Sequence, residues 1–442
     1  MTAKTRHWPA VRLAVSLTAI LIVTVGMLTS CATPYEWVAY ASAGALADLT
    51  AGQWREDIEH LRTELPAGNP HFDEDARMGA TFDAAALALE EAIDETTTPE
   101  TMVAELSRLL ALVGEGHTSL NSYPTSILPV IASWFSDGFY VAGADREYEA
   151  IVGAKIVGIR DASGTLRPLA EIEPMLNAVI SADHPNGYRP SYGQVLSDPY
   201  IMRGLGLADA SGLTYQLDEG GTITEATVAE KAGNEVDVVR ASDSAPNTPL
   251  PSRSDEPNWY VRTGPDDMTI YLSYADCRAE AMDLFQDLVN ELESSTADRL
   301  IIDIRRNSGG TSVPGRWLAS QLAGIPGLDS PGDIFVLIGP VTFSSGMMLA
   351  VDLMDKTNAI FAGQPLAESP NSWGEVKRFP LPNSGLMIGH STRFFEYGRG
   401  KDLRLDADGM LVPDDGFVID RTFEEYQLGI DPVVEAALSY GG

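Results

Sequence analysis

From Ala32 to about Leu112 the apolar residues recur at helical spacing. Trp54, Ile58, Leu61 and Leu65 form one stripe, and Phe82, Ala86, Leu89 and Ile93 another. The breaker-rich turn Pro66-Ala67-Gly68-Asn69-Pro70-His71-Phe72 lies between them. A third helix is predicted from Thr98-Pro99-Glu100, with proline in its first turn, through Met102, Leu106, Leu109 and Leu110. Beyond it come short apolar runs of strand length, at Leu128 to Ile131, Gly138 to Val141 and Gly153 to Ile159. A helix is expected around Leu169 to Ile180, then strands near Leu213 to Tyr215 and Thr224 to Val228. Ser242 to Asn258, rich in Pro, Ser and Asp, reads as a linker. After it, strand and helix alternate. Met268 to Tyr274 is a strand, Ala281 to Leu292 an amphipathic helix, Leu300 to Ile304 and Ile334 to Ile338 buried strands, and Met347 to Met354 an apolar helix. This order predicts βαβ units and a parallel sheet.

Charge and cysteines narrow the functional classes. The chain has 442 residues and a formal net charge of −33. Such acidity, without a basic stripe, argues against nucleic acid as a partner, because a polyanion is repelled. Lys4, Arg6 and Arg12 precede an apolar run from Leu13 to Leu28, the layout of an export signal. A single-pass anchor is the alternative, though the run is short for a bilayer. Leu28-Thr29-Ser30-Cys31 resembles a bacterial lipoprotein box, in which cleavage leaves Cys31 to carry lipid. Cys277 is then the one remaining thiol, read as a packed small residue at the start of a helical pattern rather than as a nucleophile.

Two polar turns follow buried strands and carry the candidate chemistry. Asp303-Ile304-Arg305-Arg306-Asn307-Ser308-Gly309-Gly310 ends in paired glycines, which admit positive φ and close approach of N–H groups to a ligand. Thr342-Phe343-Ser344-Ser345-Gly346 leads from a strand into a helix, where a serine faces backbone donors and a helix N-terminus. The plain alternative for Ser-Ser-Gly is an N-cap. Val113-Gly114-Glu115-Gly116-His117-Thr118 sets a histidine between flexible and hydroxyl residues, fit to face a cleft or simply solvent. No metal spacing, phosphate loop or dinucleotide fingerprint is present in the sequence, and no cofactor is expected.

The two turns together resemble the core of the C-terminal-processing (tail-specific) serine peptidase family, and the resemblance spans most of the chain after the leader. It implies an α/β fold with a crotonase-like ββα core. The division it implies is a signal peptide at 1–30, a helical cap at 31–120, a middle module at 121–245 and the peptidase core at 246–442. Val152 to Ile159 resembles a phrase of PDZ-like modules, a degenerate or absent module being the equal alternative. Glu115 stands where the family's Asp-Gly-His-Thr motif has Asp. Phe361-Ala362-Gly363-Gln364-Pro365 resembles the Gly-Glu-Pro-Thr turn, with Gln364 and Leu366 as departures.

One version of the family pairs its serine with a lysine after that turn. Gly363 to Val376 contains none, and Lys377 falls late. The resemblance is therefore to the tricorn-like branch, which uses serine, histidine and a carboxylate. It implies Ser344 as nucleophile, two residues after Thr342, with His117 as base and an oxyanion hole from Ser345 and either Gly309 or Gly310. For the carboxylate it points to Asp408 or Asp406, just upstream of Gly409 to Asp414, with Glu396 as a further candidate and a solvated turn acid as the plain reading. The implied protein is an exported serine peptidase, lipid-anchored through Cys31 to the outer face of a bacterial membrane. It would cleave peptide or protein substrates, with C-terminal tails as the family's target. A catalytically inactive peptide-binding lipoprotein of the same fold, and an esterase using the same serine, are the rivals.

Overall fold

The computed structural model describes residues 38–39, 46, 48–264, 267–294 and 296–441. The expected export signal and Cys31 lie outside them. Three long helices come early in the described chain, α1 (Ala51–Gly68), α2 (Ala76–Ala92) and α3 (Pro99–Ala111), with a single helical turn at His71–Glu74 between the first two. Thr50 caps α1 with a capping box, and Thr98 caps α3 ahead of Pro99. The periodic residues Trp54, Ile58, Leu61, Leu65, Phe82 and Ala86 are buried together with Met102, Leu106 and Leu110. Leu381, Leu386 and Ile388, far along the chain, complete that same core. The hairpin that carries them therefore belongs spatially with the N-terminal helices.

The next layer is a curled antiparallel sheet. It contains β2 (Val130–Phe135), β3 (Gly138–Asp145), β4 (Lys155–Arg160), β5 (Leu213–Glu219) and β6 (Thr222–Val228), entered after a short strand β1 (Ser119–Leu120). Along β5 the residues Leu213, Tyr215 and Leu217 point inward and alternate with half-exposed neighbours, the period-two pattern of a half-buried strand. Helices α4 (Leu169–Asn177) and α5 (Tyr188–Ser197) cover that face through Ile172, Leu176, Tyr192 and Leu196. The expected linker is partly packed. Leu250 is buried against Tyr271 and Ile301 of the core sheet.

The core sheet has the order β7 (Asn258–Thr263), β8 (Thr269–Tyr274), β9 (Arg299–Asp303), β10 (Ile334–Ile338) and β11 (Ile360–Gly363). The first pair is antiparallel and the other three are parallel. Helices α6 (Ala281–Ser294), α7 (Val313–Leu322) and α8 (Ser345–Lys356) make the crossovers. They pack on the face of Ile270, Leu272, Leu300, Ile302 and Val336. The alternate residues Tyr271, Ile301, Phe335 and Leu337 face the other way, onto α9 (Pro432–Ser439). Both faces are covered, which is why these strands read as continuous apolar runs. Cys277 lies before α6 rather than on it. Its backbone bridges to Gly310 and its thiol is buried against Asn307 at 3.2 Å.

Four further strands, β12 (Asn371–Gly374), β13 (Lys377–Pro380), β14 (Met387–His390) and β15 (Arg393–Glu396), form two small sheets. β14 pairs with β1, which fixes the segment just after His117 to the C-terminal part of the chain. The α/β class is as expected.

Candidate active site

The site forms at the carboxyl ends of β9 and β10, where open parallel sheets place ligands. An ion-pair network holds the first loop. Arg305 lies 2.6 Å from Asp303 and 2.8 Å from Asp431, and Tyr271 donates to Asp303 at 2.8 Å. The two carboxylates raise Arg305 despite its burial, and Arg305 holds Asp431 below the usual carboxylate range. Thr342 then ties the two loops, donating its hydroxyl to the Ile304 carbonyl at 2.8 Å while the Phe343 N–H donates to the Asn307 carbonyl at 2.9 Å.

Ser344 sits on the sharp turn between β10 and α8 with φ 53° and ψ −122°. A non-glycine residue at positive φ stores about 1–3 kcal/mol of strain, sustained when the surroundings over-determine it. A serine on such a strand-to-helix turn has its hydroxyl presented at the edge of the sheet. A Cβ on Gly309 would stand 2.6 Å from the Ser344 Cβ, so glycine is required for this approach. Ser345 is different. It is buried and its hydroxyl donates to the Gly310 carbonyl at 2.8 Å, joining the two loops.

The Gly309 N–H is already occupied, donating to Asn307 Oδ1 at 2.9 Å. Of the two glycines, Gly310 is thus the one whose amide is left for a ligand. Asn307 is fully buried and also donates to the Tyr274 carbonyl at 2.9 Å.

His117 arrives from the loop after α3. That loop is anchored by Glu115, which is buried and accepts from Asn69 at 3.2 Å, from Ser391 at 2.7 Å, from the His117 N–H at 3.1 Å and from Thr118. The longer glutamate at this position is a structural anchor with its partners satisfied. The imidazole packs on the Phe343 ring at 4.5 Å. Burial lowers its pKa, opposed by Glu115 and by the Trp373 backbone.

The His117 Nδ1 has no hydrogen-bond partner and lies 4.0 Å from Glu368 Oε1. Glu368 is 1% exposed. Its other oxygen accepts the backbone N–H of Ser344, and Ser372 donates to Oε1 at 2.8 Å. Burial raises the Glu368 pKa well above the usual carboxylate value, as do Asp183 and Glu115 nearby. One carboxyl group thus touches the serine's backbone and faces the histidine.

The carboxylate expected from the sequence is not there. Asp408 is 72% exposed and its carboxylate lies 3.6 Å from His184, not on His117. Asp406 closes the local turn, accepting from the N–H groups of Asp408 and Met410, and Glu396 pairs with exposed Arg399. The carboxyl group that faces His117 is that of Glu368. It follows the Gly363-Gln364-Pro365 turn, inside the stretch from Gly363 to Val376 that contains no lysine. The signal in the sequence is an acid preceded by apolar Leu366 and Ala367. Among the described residues, no group of three His, Cys, Asp or Glu is placed to hold a metal ion, and no helix is long and apolar enough to cross a membrane.

The sequence matches no family model and no curated protein. Solved structures do match. Mature CPAF complexed with lactacystin superposes with a TM-score of 0.56 at 13% identity, over 88% of this chain and 98% of that one. The photosystem II D1 C-terminal processing protease gives 0.38 at 14% identity, over 87% and 98%. The tricorn protease gives 0.38 at 12% identity, over 88% of this chain and 36% of that one. The chain shares the fold of CPAF, and the resemblance to the tail-specific peptidases is borne out at the level of fold.

Proposed function

We propose that this protein is a serine peptidase in which Ser344 is the nucleophile, His117 the base and Glu368 the orienting carboxylate. The observation that carries this reading is the position of Glu368, bonded to the Ser344 N–H and facing His117 Nδ1 in a buried setting. Ser344 Oγ would attack the scissile carbonyl carbon, its proton passing to His117. Glu368 would hold the imidazole and stabilise the imidazolium that forms. The oxyanion would be met by the N–H groups of Gly310 and Ser345. Collapse breaks the amide bond, the leaving amine takes the proton from His117, and water then releases the acyl group from Ser344.

The strained conformation of Ser344 favours an enzyme over a silent peptide binder, because a binder has no use for that strain. The core is read as crotonase-like, and the sheet from Val130 to Val228 as a divergent PDZ-like module. C-terminal tails are the substrate class that the fold relatives suggest. Export and lipidation at Cys31 complete the reading. Cys31→Ser should abolish incorporation of labelled fatty acid and move the protein out of the membrane fraction.

The deciding experiment is fluorophosphonate labelling of the mature protein. Labelling should be lost in Ser344→Ala, strongly reduced in His117→Ala and Glu368→Ala, and kept in Ser345→Ala. Labelling that survives Ser344→Ala ends the assignment.

A further inference from the structure

The turn from Asp183 to Gly187, which belongs to the middle layer, reaches both the loop that carries His117 and the segment that carries Glu368. Asp183 Oδ2 accepts the Gly116 N–H at 3.1 Å, one residue before His117. A Cβ on Gly116 would meet both that oxygen and the Phe343 ring at 2.8 Å, so the approach is tight. Three residues on, Asn186 donates from Nδ2 to the Leu366 carbonyl at 3.1 Å, two residues before Glu368. His184 caps the turn by accepting the Asn186 N–H at 3.2 Å, which fixes the spacing of the two contacts. The base and its facing carboxylate come from segments about 250 residues apart in sequence (117 and 368). Within this layer, the turn contacts both.

We propose that Asp183 and Asn186 are positioning residues, Asp183 setting His117 through Gly116 and Asn186 setting Glu368 through Leu366. This rests on the reading of His117 as base and Glu368 as its carboxylate. The 4.0 Å gap between His117 Nδ1 and Glu368 is longer than a hydrogen bond, so a small displacement of either loop makes or breaks the pair. The middle layer thereby controls whether the site is assembled.

The charges around Asp183 give the proposal a second readout. Glu115 and Glu368 are its acidic neighbours, with His117 beyond Gly116. Burial, then Glu115, raises the Asp183 carboxyl to about 7. Its ionised form in turn raises Glu368. Replacing Asp183 by asparagine keeps an acceptor for Gly116 but removes that charge, and so lets Glu368 ionise at lower pH.

The test uses the full chain with isotope-labelled histidine, the His117 ring signals being assigned with His117→Ala. Asp183→Ala should shift those signals and lower kcat roughly ten- to hundredfold, as loss of one buried charge-assisted hydrogen bond implies, with KM changed less than about threefold. Asn186→Ala should lower kcat in the same sense. Asp183→Asn should keep most of kcat and move the acid limb of its pH profile downward. It should also remove an inflection near pH 7 from the His117 ring signals. Unchanged His117 signals in Asp183→Ala overturn the proposal, as does an Asp183→Asn variant with the wild-type inflection. If wild type neither turns over peptides nor labels, the peptidase reading fails, and the His117 signals still decide this one. Should Asp183→Ala not fold, the His117 titration in Asp183→Asn decides.

Discussion

Asn307 Oδ1 accepts the amide proton of Gly309 at 2.9 Å, and this one bond decides which glycine of the pair has an N–H to offer a substrate. The same side chain donates to the Tyr274 carbonyl, while the Asn307 backbone carbonyl accepts the Phe343 N–H, so this residue joins β8, the glycine loop and the serine turn. Asn307→Ala should free the Gly309 amide and loosen the Gly310 amide together. We expect kcat to fall about tenfold or more with little change in KM, and stability to fall by about 1–3 kcal/mol for the buried groups left unpaired. Single-turnover acylation and urea denaturation measure the two effects separately. A variant that acylates at the wild-type rate would place the oxyanion donors elsewhere.

Ser344 holds a positive φ that glycine adopts without cost. Ser344→Gly should therefore be inactive yet more stable than wild type, by about 1 kcal/mol. Ser344→Ala should be inactive without that gain. Denaturant midpoints of the three proteins settle it. Equal stability of Ser344→Gly and Ser344→Ala would mean that the turn is unstrained.

Glu368 links pH to activity and to stability with opposite signs. Its folded pKa is raised above the unfolded value of about 4.5, so the native state binds the extra proton between the two. Stability is therefore greatest below pH 4.5 as far as this group is concerned, and falls as pH rises through the folded pKa. Activity, which needs the carboxylate, should fall as pH drops through that same folded pKa. Glu368→Gln should flatten the stability change, remove the acid limb set by this group and lower kcat. A pH series of kcat/KM beside thermal melts would show it, and parallel curves for the two quantities would contradict it.

Arg305 neutralises Asp303 and Asp431 at once. Arg305→Met leaves two nearly buried carboxylates without their cation, and should cost about 3–5 kcal/mol. The loss should be larger at neutral pH than in acid, because Arg305 depresses Asp431 and that contribution disappears as Asp431 is protonated. Chemical denaturation at two pH values tests the sign.

Much of this protein is written in local pattern. The stripe of Trp54, Ile58, Leu61 and Leu65 names its own buried face, because a 3.6-residue period leaves one solution. The runs at Leu300 and Ile334 announce strands covered on both sides, and the turns after them announce where polar groups gather. Ser344 and the glycine pair were legible for that reason. The acid that faces His117 was not. Asp408 and Glu368 are equivalent as letters, and only packing separates them. One is 72% exposed beside His184, the other 1% exposed and bonded to the Ser344 N–H. The same holds for Gly309 and Gly310, whose amides differ only because Asn307 folds back onto the first. Sequence periodicity set the elements and the turns that end them, since those depend on neighbours within a few residues. Which acid faces His117 and which turn of the middle layer reaches both segments were decided by contacts between residues 67 to 251 positions apart, which only the folded chain brings together.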